Sequence, residues 1–376
     1  MYTFRYTISL LAALLLLACS TAQKRKREEN RMDHAQRFII EEQESYQYVK
    51  LLGNKNNLDT TSFFVLSNDT SALGMVPRKY TRIQTPCRRM VVLSSIYAAM
   101  LHELGCLNNV VAIDNGDYLV NSDLRNAVAQ GRVAEVAKGP EPDVEKIVQL
   151  QPDVIFMFGM GNGGDDVPSQ LKRTTIPIVV STDHLETSPL SRAEWLKLFA
   201  AFAGKSSTAD TIFSYVKKRY ERLRDSAKFF SSLPLVFTEM KVGEAWYTPG
   251  GKSNMATLLQ DAAARYPWSE NKSAGSLPLS FEQVYTKAGN ADFWLNIPLV
   301  KSKKELTGHD MRYSYFKAFK TGQLYNNNKV TNALGYSTYW ETGMYHPERI
   351  LSDLILIFHN KGLLDSTQLY YYRRLQ

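Results

Sequence analysis

Asp143-Val144-Glu145-Lys146-Ile147-Val148, followed by Pro152-Asp153-Val154-Ile155-Phe156, has a counterpart later in the chain. The second copy is Ser280-Phe281-Glu282-Gln283-Val284-Tyr285, followed by Ala291-Asp292-Phe293-Trp294-Leu295. Each copy opens on a residue suited to cap a helix, sets a glutamate in its first turn, and runs on into an apolar strand. The repetition predicts two like-built lobes, each presenting a carboxylate at an equivalent spot. Such a molecule is expected to bind something between its lobes and to dock symmetrically on a partner.

Around the first copy the pattern is strand and helix in alternation. Residues 45–52 and 61–67 read as a hairpin region, and Met90–Leu93, Val110–Ile113, Val154–Phe158 and Ile176–Val180 as strands. Helices are expected up to Leu104, with Gly105 as the stop, over Val167–Arg173, and over 188–204. The second half repeats the alternation, with strands at 235–240 and 292–297, a helix at 253–263, and a last helix from Pro347 to about His359. Alternation of this kind implies largely parallel sheets covered by helices.

Between the halves, Ser206 or Ser207 opens a longer helix running to about Phe230. Ile212, Val216, Tyr220 and Leu223 recur along it at helical spacing, with cations between them, and Pro234 follows its end. At about 25 residues it would span ~37 Å. The fold class is therefore α/β: two Rossmann-like lobes, 41–205 and 233–376, joined by a single long α-helix over 206–232.

The first residues read as an export signal. Arg5 precedes an apolar run, Ile8–Ala18, too short to span a membrane. The run ends Leu16-Leu17-Ala18-Cys19, which resembles a bacterial lipobox. The resemblance implies that 1–18 is removed and that Cys19 carries lipid; the plainer alternative is an ordinary secretion signal. Residues 19–40, with Lys24-Arg25-Lys26-Arg27, read as a charged tether suited to an anionic membrane surface. The formal net charge of +8 owes much to this tether, and no stripe of basic and aromatic residues recurs at regular spacing, so nucleic acid is not an expected partner. Cys87 and Cys106 are left either as buried thiols or as a disulfide.

Arg89-Met90-Val91-Val92-Leu93-Ser94, Leu104-Gly105, Asp143–Phe156, Ile176–Val180, Ser280–Leu295 and His346-Pro347-Glu348-Arg349-Ile350-Leu351, in that order and spacing, resemble the periplasmic binding proteins serving ABC importers of vitamin B12, ferric siderophores and haem. The resemblance covers most of 85–360 and implies two α/β lobes on one long helix. It implies no catalysis and no cofactor: a metal chelate is the cargo, and the protein is expected as a monomer. It also assigns Glu145 and Glu282 to arginines of a permease dimer, a pairing that carboxylate and guanidinium geometry favours. A glutamate in a first turn is favourable for the helix dipole in any case. Two at matched positions make the docking reading the sharper one.

Ligand contacts are expected at the carboxyl ends of the strands. The candidates are Ser95, Tyr118 and Phe158 from the first lobe, with Gly159–Gly164 as a floor, and Trp246, Tyr247, Trp340 and Arg349 from the second. Aromatic rings offer flat contact area to a macrocycle or chelate, and Arg349 suits an anionic group. Core packing is the bland reading for each ring. Trp246-Tyr247 precede an evident turn, Thr248-Pro249-Gly250-Gly251, which favours exposure. Where the vitamin B12 binders of the family carry a tryptophan before the first glutamate, this chain has Lys138-Gly139.

Three rival readings remain. Gly159-Met160-Gly161-Asn162-Gly163-Gly164 fits the dinucleotide pattern, with Asp183 beyond the next strand, but Asp165 and Asp166 would repel a pyrophosphate. A receptor for bare zinc or manganese needs histidines and carboxylates converging from both lobes, and the six histidines are scattered, so no metal ligands are assigned. Haem ligation by Tyr118 or another tyrosine is a further form of the chelate reading. A scavenger or adhesin handing cargo to another protein would not need Glu145 and Glu282 exposed.

Overall fold

The computed structural model describes residues 32–53, 60–137, 141–161, 163–298, 300–360 and 366–376. The signal 1–18, Cys19, the Lys24–Arg27 run, Lys138 and Gly139 lie outside these residues.

The chain joins its fold earlier than the tether boundary at residue 40 suggested. Ala35 and Phe38 are buried. The cause is a pair of buried carboxylates far along the chain. Glu194 accepts the backbone N–H groups of Asp33, His34 and Ala35 at 3.1, 2.8 and 2.8 Å. Glu186 accepts those of Gln36 and Arg37, both at 3.1 Å. The segment thus held leads into β1 (Phe38–Glu42), which pairs antiparallel with β2 (Gln47–Leu52), itself antiparallel to β3 (Thr60–Ser67); β4 (Thr81–Gln84) adds in parallel. One face of this sheet, with Phe38, Val49, Leu51, Phe64, Leu66 and Ile83, packs into the core of the first lobe.

That lobe is built on β5 (Met90–Leu93), β6 (Val110–Ile113), β7 (Ala134–Glu135), β8 (Val154–Phe158) and β9 (Ile178–Ser181), all parallel, in the order β7-β6-β5-β8-β9. The second lobe holds β10 (Val236–Thr238), β11 (Lys241–Val242), β12 (Ala245–Pro249), β13 (Ser276–Leu279), β14 (Phe293–Leu295), β15 (Leu324–Asn326) and β16 (Arg373–Arg374). Its main sheet runs β10-β14-β15-β16, parallel except for the edge strand β16. β11, β12 and β13 form a separate antiparallel sheet.

The repeated segment does the same work in both lobes. Asp143 caps helix Val144–Gln149 by accepting the Lys146 N–H at 3.0 Å. Ser280 caps Phe281–Ala288 in a capping box, with Gln283 returning a bond to the Ser280 N–H at 2.8 Å. The aspartate of each copy then pins the neighbouring parallel strand at its start. Asp153 accepts the N–H groups of Arg88 and Arg89 at 2.7 and 2.9 Å, and Asp292 accepts that of Leu235 at 2.8 Å.

The connecting helix spans Ser206–Ala227, with Ser206 inside it rather than capping it, and buries Ala209, Phe213, Val216 and Tyr220. The helix expected over 188–204 is two, Pro189–Ala193 and Leu196–Ala203. At the junction the turn tightens: the N–H groups of Trp195, Lys197 and Leu198 bond three residues back. This carries both Glu194 and Trp195 into the interior, fully buried. Cys87 and Cys106 are free and buried, and burial pushes the Cys87 thiol up to about 12. No helix among the described residues is long and apolar enough to cross a membrane.

Candidate functional site

The carboxyl ends of β9, β10 and β14 open into a cleft between the lobes with a volume of about 550 Å³. That is the size of an ordinary small-molecule site. The first lobe contributes His184, Leu185, Pro189 and Arg192; the second contributes Glu239, Tyr247, Asn254, Met255, Asn296, Trp340 and Pro347 among others.

Two positions on the floor are strained. Glu239 and Asn296, the residues that follow β10 and β14, have φ of +67° and +54°. A side chain at such angles costs free energy, and neither residue is a glycine. Trp294 holds the first by donating its ring N–H to the Glu239 carbonyl at 2.6 Å. Tyr372, from the C-terminal tail, holds the second by donating to Asn296 Oδ1 at 2.9 Å. The Glu239 carboxyl makes no hydrogen bond among the described residues, and burial pushes it up to about 8. Burial therefore favours its protonated form near neutral pH.

The opposite wall is set by Asp183. Burial opposes its ionisation, but Arg192 beside it, at 2.8 Å, and donors from Tyr97 and Ser181 hold it below the usual carboxylate range. Arg192 is thereby fixed at the cleft with its charge balanced. His184 follows in sequence, and burial lowers its pKa, favouring the neutral ring. Its ring lies 4.6 Å from that of Phe158, and its Nδ1 is buried with no partner among the described residues. Asn254 Oδ1 is likewise buried and unpartnered, while its Nδ2 donates across the cleft to the Glu186 carbonyl at 2.9 Å. Both of these unpartnered atoms belong to residues that line the cleft.

Of the residues singled out in the sequence, Tyr247 and Trp340 line the cleft and are 52% and 53% exposed. Phe158 is exposed and reaches it through His184. Trp246 must be corrected. It is fully buried, donates its ring N–H to the Thr238 carbonyl at 3.0 Å, and packs between Trp294, Tyr313 and Phe316. The turn it precedes is real, but a strand buries alternate residues, and β12 turns Trp246 inward and Tyr247 outward. Arg349 also lies off the cleft: its guanidinium sits over the Tyr370 ring at 5.8 Å and beside Glu348 at 3.6 Å. Ser95 is half-buried at the start of helix Ser95–Glu103 and Tyr118 packs on Tyr336 at 5.0 Å; neither lines the cleft.

The glycine-rich loop is not the floor expected. The Asp166 carboxylate accepts the N–H groups of Met160 and Gly161 at 2.9 and 2.8 Å, filling the place an anion would take. Gly159 is needed because a Cβ there would collide with the Val180 side chain. Asn162 lies outside the described residues. His184, Arg192, Glu239, Asn254 and Asn296 were missed as site residues. For His184, Glu239 and Asn296 the local signal was their place just after apolar strands, whereas Arg192 and Asn254 stand on helices Pro189–Ala193 and Asn254–Asp261.

Outside the cleft, Glu145 is exposed at the first turn of its helix, and Glu282 is 72% exposed and paired with Arg312 at 3.2 Å. Among the described residues no group of three or more His, Cys, Asp or Glu side chains gathers as metal ligands.

A family model described as periplasmic binding protein matches residues 90–329. The chain belongs to the periplasmic binding protein family. An uncharacterized lipoprotein of Methanocaldococcus jannaschii is 25% identical to this periplasmic binding protein over 286 residues, 74% of this chain. The chain spans 66% of that relative's own length, just under two thirds. Among solved structures, a periplasmic haem binding protein from Pseudomonas aeruginosa shares the fold at a TM-score of 0.56 and 16% identity, over 77% of this chain and 99% of that one. The periplasmic vitamin B12 binding protein of Vibrio cholerae shares it at a TM-score of 0.50 and 15% identity, over 74% and 99%. Members of this family bind solutes and are not enzymes. The α/β fold class expected from the sequence, and the periplasmic binding family that its segments resemble, are those of this chain.

Proposed function

We propose that this periplasmic binding protein is the lipid-anchored, solute-binding component of an ABC importer, and that its cargo is a metal chelate: a ferric siderophore, cobalamin or haem. The observation that carries the reading is the interlobe cleft, lined by the exposed aromatic side chains Tyr247 and Trp340 together with the polar residues His184, Arg192, Glu239, Asn254 and Asn296. The rings suit the face of a macrocycle or chelate, and the polar atoms suit its peripheral groups. Anchoring through Cys19 is supported by the lipobox and by a relative named as a lipoprotein. Delivery to a permease dimer is supported by the exposure of Glu145 and Glu282.

The test is a titration of tryptophan fluorescence against cobalamin, haem, several ferric siderophores, and free Zn²⁺ and Mn²⁺. Saturable quenching by one chelate, reduced in Trp340→Phe, is the expected result. A response to free metal alone, or silence across the panel, would overturn the chelate reading.

A further inference from the structure

The connecting helix has two sides of opposite character. One packs into both lobes through Ala209, Phe213, Val216 and Tyr220. The other carries Tyr215, Lys218 and Arg222 at helical spacing and continues to Phe229 just past the helix end. Tyr215 is 58% and Phe229 90% exposed. Arg219 donates to the hydroxyls of Tyr215 and Tyr370 at 3.0 and 3.1 Å, which sets a second exposed tyrosine beside this stripe. Glu221 sits half-buried at the edge of the stripe. Asp225 shares the face, but Lys228 at 2.7 Å and Arg224 at 3.5 Å balance its charge.

The N-terminal segment meets the body at this same helix. Asp33 pairs with Lys217 at 2.9 Å, and the His34 ring lies 6.0 Å from that of Phe213. The described chain therefore begins beside this helix. The stretch from Cys19 to Met32 reaches at most roughly 45 Å when fully extended.

We propose that the outer face of the connecting helix is a docking surface for an anionic lipid bilayer. Cations are drawn to anionic headgroups, tyrosines favour the interface, and an exposed phenylalanine at the end of the stripe gains by entering the acyl boundary. The chain joins the body on the packed side of the helix, at Phe213 and Lys217, and the extended length from Cys19 to Met32 exceeds the width of a helix, so an anchor at Cys19 would not hold the outer face away from a bilayer. This surface lies apart from solute capture and does not depend on Cys19 being lipidated.

Flotation with phosphatidylglycerol-containing vesicles, against phosphatidylcholine alone, tests it. The full chain carries Cys19→Ser in every arm, so the contribution of residues 1–31 is common to all. The parent is expected to favour anionic vesicles. Lys218→Gln with Arg222→Gln should weaken that preference on the order of tenfold. Phe229→Ser should weaken it further, and Lys218→Arg with Arg222→Lys should preserve it. Thermal unfolding midpoints verify that each variant is folded. A parent without anionic preference, or a preference unchanged by the glutamine pair, overturns the proposal.

Discussion

The Glu341 carboxylate of the second lobe accepts the backbone N–H of Val120 in the first at 2.8 Å, and also that of Asn121 at 2.9 Å. Asn332 adds to this seam by donating to the carbonyls of Asp117 and Leu119 at 2.8 and 3.0 Å. Across it, His346 faces Glu103 at 3.5 Å. The lobes are thus joined at a second place besides the connecting helix. This seam restrains opening and closing more than the helix alone would.

Glu341→Ala is expected to leave both N–H groups unpaired at a cost of about 2–4 kcal/mol. Denaturant unfolding should register the loss. Amide hydrogen exchange at Val120 and Asn121 should quicken more than exchange elsewhere in the lobe. Unchanged exchange at those two amides would show that the seam contributes nothing to lobe coupling.

Glu239 gives a pH dependence of definite sign. Its carboxyl keeps its proton to about pH 8 in the folded protein, because burial disfavours the charge. In the unfolded chain it loses that proton near its ordinary value of 4.5. The folded state therefore binds the extra proton, and this residue's contribution to stability falls as pH rises between those values. Glu239→Gln, neutral at every pH, should melt close to the parent at pH 5 and increasingly above it towards pH 9. An offset independent of pH would contradict the assignment. A ligand bearing a carboxylate near Glu239 should also bind more weakly above about pH 8, and lose that dependence in the glutamine variant.

Glu194 is fully buried and accepts three consecutive backbone N–H groups. Glu194→Ala strands all three donors and should cost about 3 kcal/mol or more. Limited proteolysis should then cut near residues 33–37 before any site in the lobes. If that segment stays as resistant as in the parent, the carboxylate is not what holds it.

The two docking candidates are unequal. Glu282 is held at 3.2 Å by Arg312, whose guanidinium also pairs with Asp310 and covers the Phe281 ring at 4.2 Å. Glu145 makes no ion pair among the described residues. A permease arginine would compete with Arg312 at one site and meet a free carboxylate at the other. Glu145→Ala with Glu282→Ala should abolish uptake in cells and leave solute affinity intact. Glu145→Ala alone should cost on the order of tenfold in uptake, and more than Glu282→Ala. Equal losses would rule out the asymmetry, and unimpaired uptake by the double variant would rule out docking by these residues.

By itself the sequence determined the repeated cap, glutamate and strand, the long helix between the halves, and the α/β order. All of these are written in spacings shorter than one helix or strand, where backbone geometry and apolar periodicity act locally. Tyr247 and Trp340, singled out in the sequence, stand among the residues lining the interlobe cleft. Tertiary structure alone decided the rest. Whether Trp246 or its neighbour faced the core depended on which side of β12 met Trp294 and Phe316. Whether residues 33–37 stayed a tether depended on Glu186 and Glu194, roughly 150–160 positions away. Pro347 and Ile350 turn to the cleft while Arg349, on the same helix, turns to Tyr370. Side-chain partners so distant in sequence leave no local periodicity, so only the packed lobes could select which polar groups meet and which are left facing the cleft.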